Sequence, residues 1–410
     1  MAPPAEELDP AGWDPTDPAF RDDPIPWYRA LRDRAPAIAH PDIGVVLSRY
    51  EDIDRVLRDR HFGVATPSPS REVFAEGAPP SMRLLGENSL LFVDPPQHTR
   101  VRGLVAQAFT PRRIETLRPR IEESVAGILA RLEDRDTFDV LEELAWPVPI
   151  TTVTDLLDVP ATDRSVLQAW THAITAVDEL PLDFDVLPAA GTAADEFLAY
   201  AGTLVDERRR APGDDLISGL IAAEEDGERL TGDELLAMIV LILLAGHDTT
   251  ASLISTGLWL LLAHPDAATA VRTDPATVPG AVEEVLRYLG PLQVASGGGR
   301  WPDRPVTVHD TVIEPGTPVR LLLGSANRDP RHFDGPDRFD IHRAPNRHLG
   351  FGRGLHACLG AALGRLEAQV VLPAVLRRFP GLTLVDDRPT WRSSFVVRQL
   401  ASLPVTTGRP

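Results

Sequence analysis

Two short stretches carry residues that could do chemistry. The first, residues 348–360 (HLGFGRGLHACLG), holds the only cysteine of the 410-residue chain among four glycines, two histidines and an arginine. Cys358 stands where a glycine-rich loop runs into an apolar helical pattern, so free backbone N–H groups and the helix dipole would favour a thiolate there. Such a thiolate is a nucleophile or a metal ligand; a small buried apolar side chain is the ordinary alternative. A cysteine hydrolase would need a histidine set against the sulfur as base, and His356, two residues away, makes no such pair by spacing alone. The GFGRG run only partly imitates a dinucleotide fingerprint, since no apolar strand precedes it and no third glycine is correctly spaced.

The second stretch is residues 243–252, LLAGHDTTAS. A small pair, Ala245 and Gly246, is followed by an acid and two threonines in the middle of an otherwise apolar run. Glycine there costs about 1 kcal/mol against alanine, and a buried carboxylate needs a partner. The segment is therefore a packing notch with a polar stripe, or a working site. Two further patterns are weaker alone. Glu284 and Arg287 in VEEVLRY stand three apart on one helical face, ordinarily a surface pair of a few tenths of a kcal/mol. His98 and Arg102 in DPPQHTRVRG stand four apart and share a side of a helix.

The elements that must position these residues are mostly helical. Helical patterns cover residues 113–134, 191–210 and 231–246, separated by proline and glycine clusters. Strands are expected at 37–40 and 43–49, before a helix that starts at Tyr50. Short β-like runs follow at 304–309 and 311–323, then an irregular stretch over 327–354, a last helix from about 359 to 379, and a strand over 396–407. Length alone would suit two or three domains, but no repeat or low-complexity linker divides the chain.

Composition removes several chemistries. All 41 basic residues are arginine, so a Schiff base, a pyridoxal anchor, a phosphate-loop lysine and a Ser-x-x-Lys pair are excluded. One cysteine excludes intrachain disulfides, Cys-x-x-Cys redox pairs, cysteine-rich zinc sites and iron–sulfur clusters. The net charge of -19 argues against nucleic acid as the main partner. The first residues are acidic and proline-rich, without the basic flank and apolar core of a signal peptide. Residues 235–263 have the length of a membrane span, but His247 and Asp248 at its middle would be costly in lipid. A buried central helix and a cytoplasmic chain, not a membrane protein, are expected.

The pattern Phe351-x-x-Gly354-x-His356-x-Cys358-x-Gly360 resembles the haem-binding loop of the cytochrome P450 family. The resemblance extends to the other motifs in order: 243–252 is similar to the family's oxygen-activating helix, Glu284-x-x-Arg287 to its Glu-x-x-Arg motif, and the segment around His98 and Arg102 to its propionate-binding helix. It implies a mainly α fold with small β-sheets, a single prism-shaped domain over residues 21–410 after an N-terminal extension over 1–20. It also implies haem b, iron protoporphyrin IX, with the Cys358 thiolate as axial iron ligand. In that reading Phe351 covers the sulfur side of the macrocycle, Gly354 and Gly360 let backbone approach it, and His356 bonds a propionate. His98, Arg102 and Arg300 are the remaining propionate contacts. Ala245 and Gly246 leave room for O2, and Asp248 and Thr249 deliver protons. Glu284, Arg287 and Arg338 form a structural triad.

The resemblance further implies a monooxygenase that hydroxylates a C–H bond or epoxidises a C=C bond, with electrons ultimately from NAD(P)H. They would arrive through a separate ferredoxin and ferredoxin reductase, docking near Arg112, Arg113, Arg347 and Arg353. The expected substrate is a largely apolar small molecule of secondary metabolism, free or tethered to a carrier protein; a non-catalytic haem-thiolate sensor is the other class. Expected pocket walls are residues 82–91 with Leu90 and Leu91, residues 173–187, Leu241, Leu244, Ala245, Leu292, Val294, Ala295, Phe395 and Val396. A monomer is expected.

Overall fold

One helix sets the frame of the computed structural model, which describes residues 5–65, 77–179, 183–223 and 227–408. It is Gly232–Ala263, and its start is fixed by a capping box. The Thr231 hydroxyl accepts the Glu234 N–H at 3.2 Å, and the Glu234 carboxylate accepts the Thr231 N–H at 2.9 Å. Among the described residues this is the one helix long and apolar enough to cross a membrane. It is enclosed by protein instead. Pro147–Leu156, Arg164–Thr175, Leu187–Arg210, Val278–Leu289 and Ala361–Arg378 pack around it, and their apolar side chains merge into the main core.

Sheets are small, so the mainly α expectation holds. Ala37–His40 pairs antiparallel with Gly44–Leu47, which pairs parallel with Val319–Leu321. A second sheet places Pro404–Thr406 between Thr137–Asp139 and Thr383–Leu384. The expected strand over 396–407 is thus confined to its last residues, because its partner Thr137–Asp139 is only three residues long. The helical run 113–134 also divides, into Pro111–Glu115 and Arg118–Leu132, where Pro119 can only open a new helix. Trp13 and Phe20, within the expected extension, are buried against the small-sheet lobe, ringed by Tyr28 and Phe395.

Glu367 is the costliest group in the core. It lies on Ala361–Arg378, 1% exposed, and neither carboxylate oxygen has a hydrogen-bond partner among the described residues. The nearby Thr152 hydroxyl is committed to the Val148 carbonyl at 3.0 Å. Burial pushes the Glu367 carboxyl up to about 8. The folded protein therefore holds a proton that the unfolded chain has released, from the ordinary glutamate range up to about 8, and stability falls as pH rises through that window. Replacing the group by Glu367→Gln is expected to flatten this slope: melting temperatures of variant and wild type, followed from about pH 5 to about pH 8, should diverge in favour of the variant at the alkaline end. Parallel curves would contradict a neutral buried carboxyl.

Candidate active site

Ala245 is exposed although it lies midway along an otherwise buried helix. Leu241, Leu244, Asp248 and Thr249 lie on the same side, one turn away or less, and keep accessible surface too. Cys358, just before Ala361–Arg378, likewise keeps accessible surface while surrounded by protein, as befits a side chain on the wall of an internal cleft. The two helices touch at Gly364, where a Cβ would stand 3.6 Å from the Thr250 hydroxyl. Cys358, six residues before Gly364, and the accessible Ala245–Thr249 face, just before Thr250, lie close in sequence to that contact on its two sides.

The cysteine loop is held by backbone and ion pairs. The Cys358 N–H donates to the Phe351 carbonyl at 2.9 Å, so it is not turned on its own sulfur. Arg365 lies over the Phe351 ring at 4.4 Å and donates to Glu283 at 2.6 Å, and His348 meets the same carboxylate at 3.0 Å. Burial pushes the Cys358 thiol up; the Gly360 N–H, Arg102 and Arg365 offset this only in part. Desolvation thus works against the thiolate that the helix dipole favours, and a bound metal cation would stabilise it.

A group of cations and imidazoles lies on the same side of the molecule as the loop. Arg102 donates to the Ala357 carbonyl at 2.7 Å, and the His98 and His356 rings are 4.4 Å apart. His98 is 1% exposed, yet neither ring nitrogen has a partner among the described residues. Burial, with His356 and Arg102 beside it, pushes His98 down to about 4, so its ring is neutral at ordinary pH and keeps one N–H to donate. Burial alone would raise Asp94, but His356 and the N–H groups of Val64 and Ala65 bring it down to about 2. Arg300 is buried, which pushes it down to about 10, and it borders a cavity of about 260 Å³ together with His356, Asp94 and Arg60. An orphaned, buried imidazole N–H beside two arginines calls for an anionic acceptor. The position a Cβ would take at Gly360 has no described atom within 4 Å, so that side of the loop is open. These residues fit a flat group that carries carboxylates and takes a sulfur ligand.

Two glycines act differently from expectation. Gly354 has φ +70°, and a Cβ on it would meet the Leu57 carbonyl at 2.1 Å, so it serves the seating of the loop on Tyr50–Arg58. A Cβ at Gly246 would stand 3.1 Å from Val153, so this glycine admits the neighbouring helix Pro147–Leu156, and the open position is Ala245.

The triad also needs a correction. Glu284 and Arg287 are fully buried and paired bidentately at 2.7 and 2.8 Å. The third member, the second arginine on Glu284, is Arg343, at 3.2 and 3.3 Å, with Asn346 adding a bond at 3.1 Å. Arg338 contributes only its carbonyl to Arg287; its side chain is exposed and pairs with Asp340 at 2.7 Å. The turn carries Arg338 outward and brings Arg343 back five residues later, which no local pattern announces.

Of the expected pocket walls, Leu91, Leu241, Leu244, Ala245 and Leu292 retain accessible surface, while Leu90, Ala295 and Val396 are buried. Val294 and Phe395 are corrected: both belong to the small-lobe core, Phe395 packed on Trp13 and Phe20, so neither faces the cleft. Within 173–187, residues 180–182 lie outside the described residues. His172 was not foreseen; it comes from Arg164–Thr175 and sets its Nε2 3.4 Å from Asp248. His247 approaches the other oxygen at 3.4 Å. Burial alone would raise Asp248, but His172, His247 and Arg392 hold it below the usual carboxylate value. The Thr249 hydroxyl donates to the Ala245 carbonyl at 2.9 Å, which leaves its oxygen as an acceptor toward the cleft.

The corrected triad is testable by substitution. Arg343→Ala is expected to cost about 3 kcal/mol, because it strips a partner from a buried carboxylate. Arg338→Ala should cost under about 1 kcal/mol, as for an exposed pair. Denaturant titrations that give the two variants equal loss would contradict the assignment.

Known proteins agree with this geometry. The family profile for Cytochrome P450 matches residues 193–400. Cytochrome P450 monooxygenase PikC of Streptomyces venezuelae is 41% identical over 98% of this chain and 94% of its own. The epothilone D-bound structure of cytochrome P450epoK superposes with a TM-score of 0.90 at 32% identity, covering 98% of this chain and all of that one. P450BioI in complex with hexadec-9Z-enoic acid ligated acyl carrier protein superposes with a TM-score of 0.88 at 35% identity, covering 94% and 98%. The chain belongs to the cytochrome P450 family and is a haem-thiolate monooxygenase.

Proposed function

We propose that Cys358 is the axial ligand of the haem iron, that His98, Arg102, Arg300 and His356 hold the propionates, and that Asp248 and Thr249 handle protons on the opposite face. The observation that carries this reading is the cleft itself: an accessible sulfur and an accessible Ala245–Thr249 face, with orphaned imidazole nitrogens at its rim. Bound haem supplies the activation of O2 with two electrons, so that one oxygen atom enters the substrate and the other leaves as water.

The chain's own residues do the rest. Arg102 and Arg300 fix the orientation of the carboxylates by geometry as well as charge, and neutral His98 adds an N–H. Asp248 is ionised at neutral pH by its histidine neighbours, so it relays protons rather than storing one. Thr249, already donating to the Ala245 carbonyl, can accept a proton and pass on its own. Leu241, Leu244, Leu91 and Leu292 line the substrate side with apolar surface and exclude water. A sensor would have no use for the Asp248–Thr249 pair.

A large, mainly apolar natural-product scaffold fits these walls, and the epothilone D complex of a relative supports it. Tailoring in secondary metabolism follows from that substrate class. The second reading, a substrate delivered on a carrier protein, is supported by the acyl carrier protein complex of another relative. Electrons derive from NAD(P)H through a separate ferredoxin and its reductase in the cytoplasm, with exposed Arg112 and Arg113 as docking cations.

Thr249→Ala tests the proton role. With a turned-over substrate, ferredoxin and reductase, the variant should oxidise NAD(P)H at a similar rate but release most of the electrons as hydrogen peroxide, with product per NAD(P)H falling about tenfold. Unchanged coupling would contradict the assignment.

A further inference from the structure

His172, His247 and Asp248 offer three ligand atoms within 4.8 Å of one another, beside the cleft rather than on the cysteine side. Each imidazole Nε2 stands 3.4 Å from one carboxylate oxygen. His247 is 1% exposed, and its Nδ1 is committed to the Leu243 carbonyl at 2.9 Å. A neutral imidazole that donates from Nδ1 to a carbonyl presents a lone pair at Nε2, and that Nε2 has no hydrogen-bond partner among the described residues. His172 Nε2 and Asp248 Oδ1 are likewise buried without one. A lone pair facing a carboxylate oxygen is repulsive unless an electrophile lies between them.

The distance decides which electrophile suits. A shared proton in a charge-assisted N–H···O bond would draw the atoms to about 2.8 Å. Each imidazole meets a different Asp248 oxygen at 3.4 Å and the three ligand atoms lie within 4.8 Å of one another, so small side-chain shifts bring them to the separation of about 3.3 Å between ligands of one tetrahedral zinc ion at about 2.05 Å. The donor set of two imidazoles and one carboxylate is a zinc-type set, and the Leu243 carbonyl already orients one ring as an outer partner would. The accessible surface of Ala245, one turn before Thr249, leaves room for water in a fourth position.

We propose that His172, His247 and Asp248 form a binding site for Zn²⁺ that inhibits turnover. It joins the central helix to Arg164–Thr175, so occupancy ties the two helices together. Its inhibitory part rests on the proton-relay reading given above: zinc occupies the Asp248 lone pairs, so the carboxylate no longer passes a proton to the cleft.

Equilibrium dialysis of the ferric holoprotein against chelator-buffered Zn²⁺, with metal counted per chain, tests the site without turnover. Wild type is expected to bind one zinc ion at least tenfold more tightly than His172→Ala or His247→Asn. Because His247 is buried and its variant could misfold, His172→Ala, at a partly exposed position, decides the matter. Wild type and His172→Ala with equal zinc affinity, or wild type with no bound zinc, would overturn the proposal. Zinc that binds at this site without raising peroxide release would instead overturn the proton-relay reading and leave the site standing. No zinc bound by wild type, together with uncoupling in Thr249→Ala, would overturn the site and leave the proton-relay reading standing.

Discussion

Desolvation of the Cys358 sulfur, surrounded by protein yet open to an internal space, is the constraint on which the rest of the structure depends. A thiol in that position is driven toward its neutral form, and the Gly360 N–H, Arg102 and Arg365 offset this only in part. The protein thus builds a ligand that becomes a thiolate when a metal arrives, and spends its architecture on keeping the sulfur in place. Arg365 clamps Phe351 while pairing with Glu283, and His348 closes the same carboxylate from the other side. Below them, Glu284 collects Arg287, Arg343, Asn346 and the Asp340 N–H, which ties the irregular stretch leading to the cysteine onto Val278–Leu289. A carboxylate buried with that many donors is costly to disturb, and that favours a single loop conformation.

The central helix carries the complementary burden on the other face. An apolar helix of 32 residues could be a uniform packing rod. Its middle instead holds a carboxylate, two histidine contacts and a threonine, beside the exposed Ala245. Gly246 lets Pro147–Leu156 come close enough to support the helix there, since a Cβ would collide with Val153. Close packing behind the helix and open space in front of it are two sides of one arrangement.

Much of this was legible in the amino-acid sequence, and the exceptions have physical reasons. The helical body, the strands over 37–40 and within 43–49, the irregular run before the cysteine and the chemical character of Cys358, Ala245, Asp248 and Thr249 all carry local signals: periodicity, glycine clusters, polar residues where apolar ones belong. What escaped depends on the path of the chain in space. Arg343 rather than Arg338 reaches Glu284 because a turn between them reverses the direction of the side chains. His172 meets Asp248 only because Arg164–Thr175 crosses the central helix, and nothing near residue 172 marks it. Val294 and Phe395 look like pocket residues by position, yet the small lobe needs them for its own core. Gly354 was read for its approach to a cofactor, whereas its backbone conformation and the Leu57 carbonyl already require it.

The central claim is that Cys358 binds haem iron as a thiolate. The most direct measurement is the absorption spectrum of the reduced holoprotein under carbon monoxide. Thiolate ligation predicts a Soret band at about 450 nm, lost in Cys358→His. A wild-type band that stays at about 420 nm, in protein that retains its haem and its fold, would contradict the account.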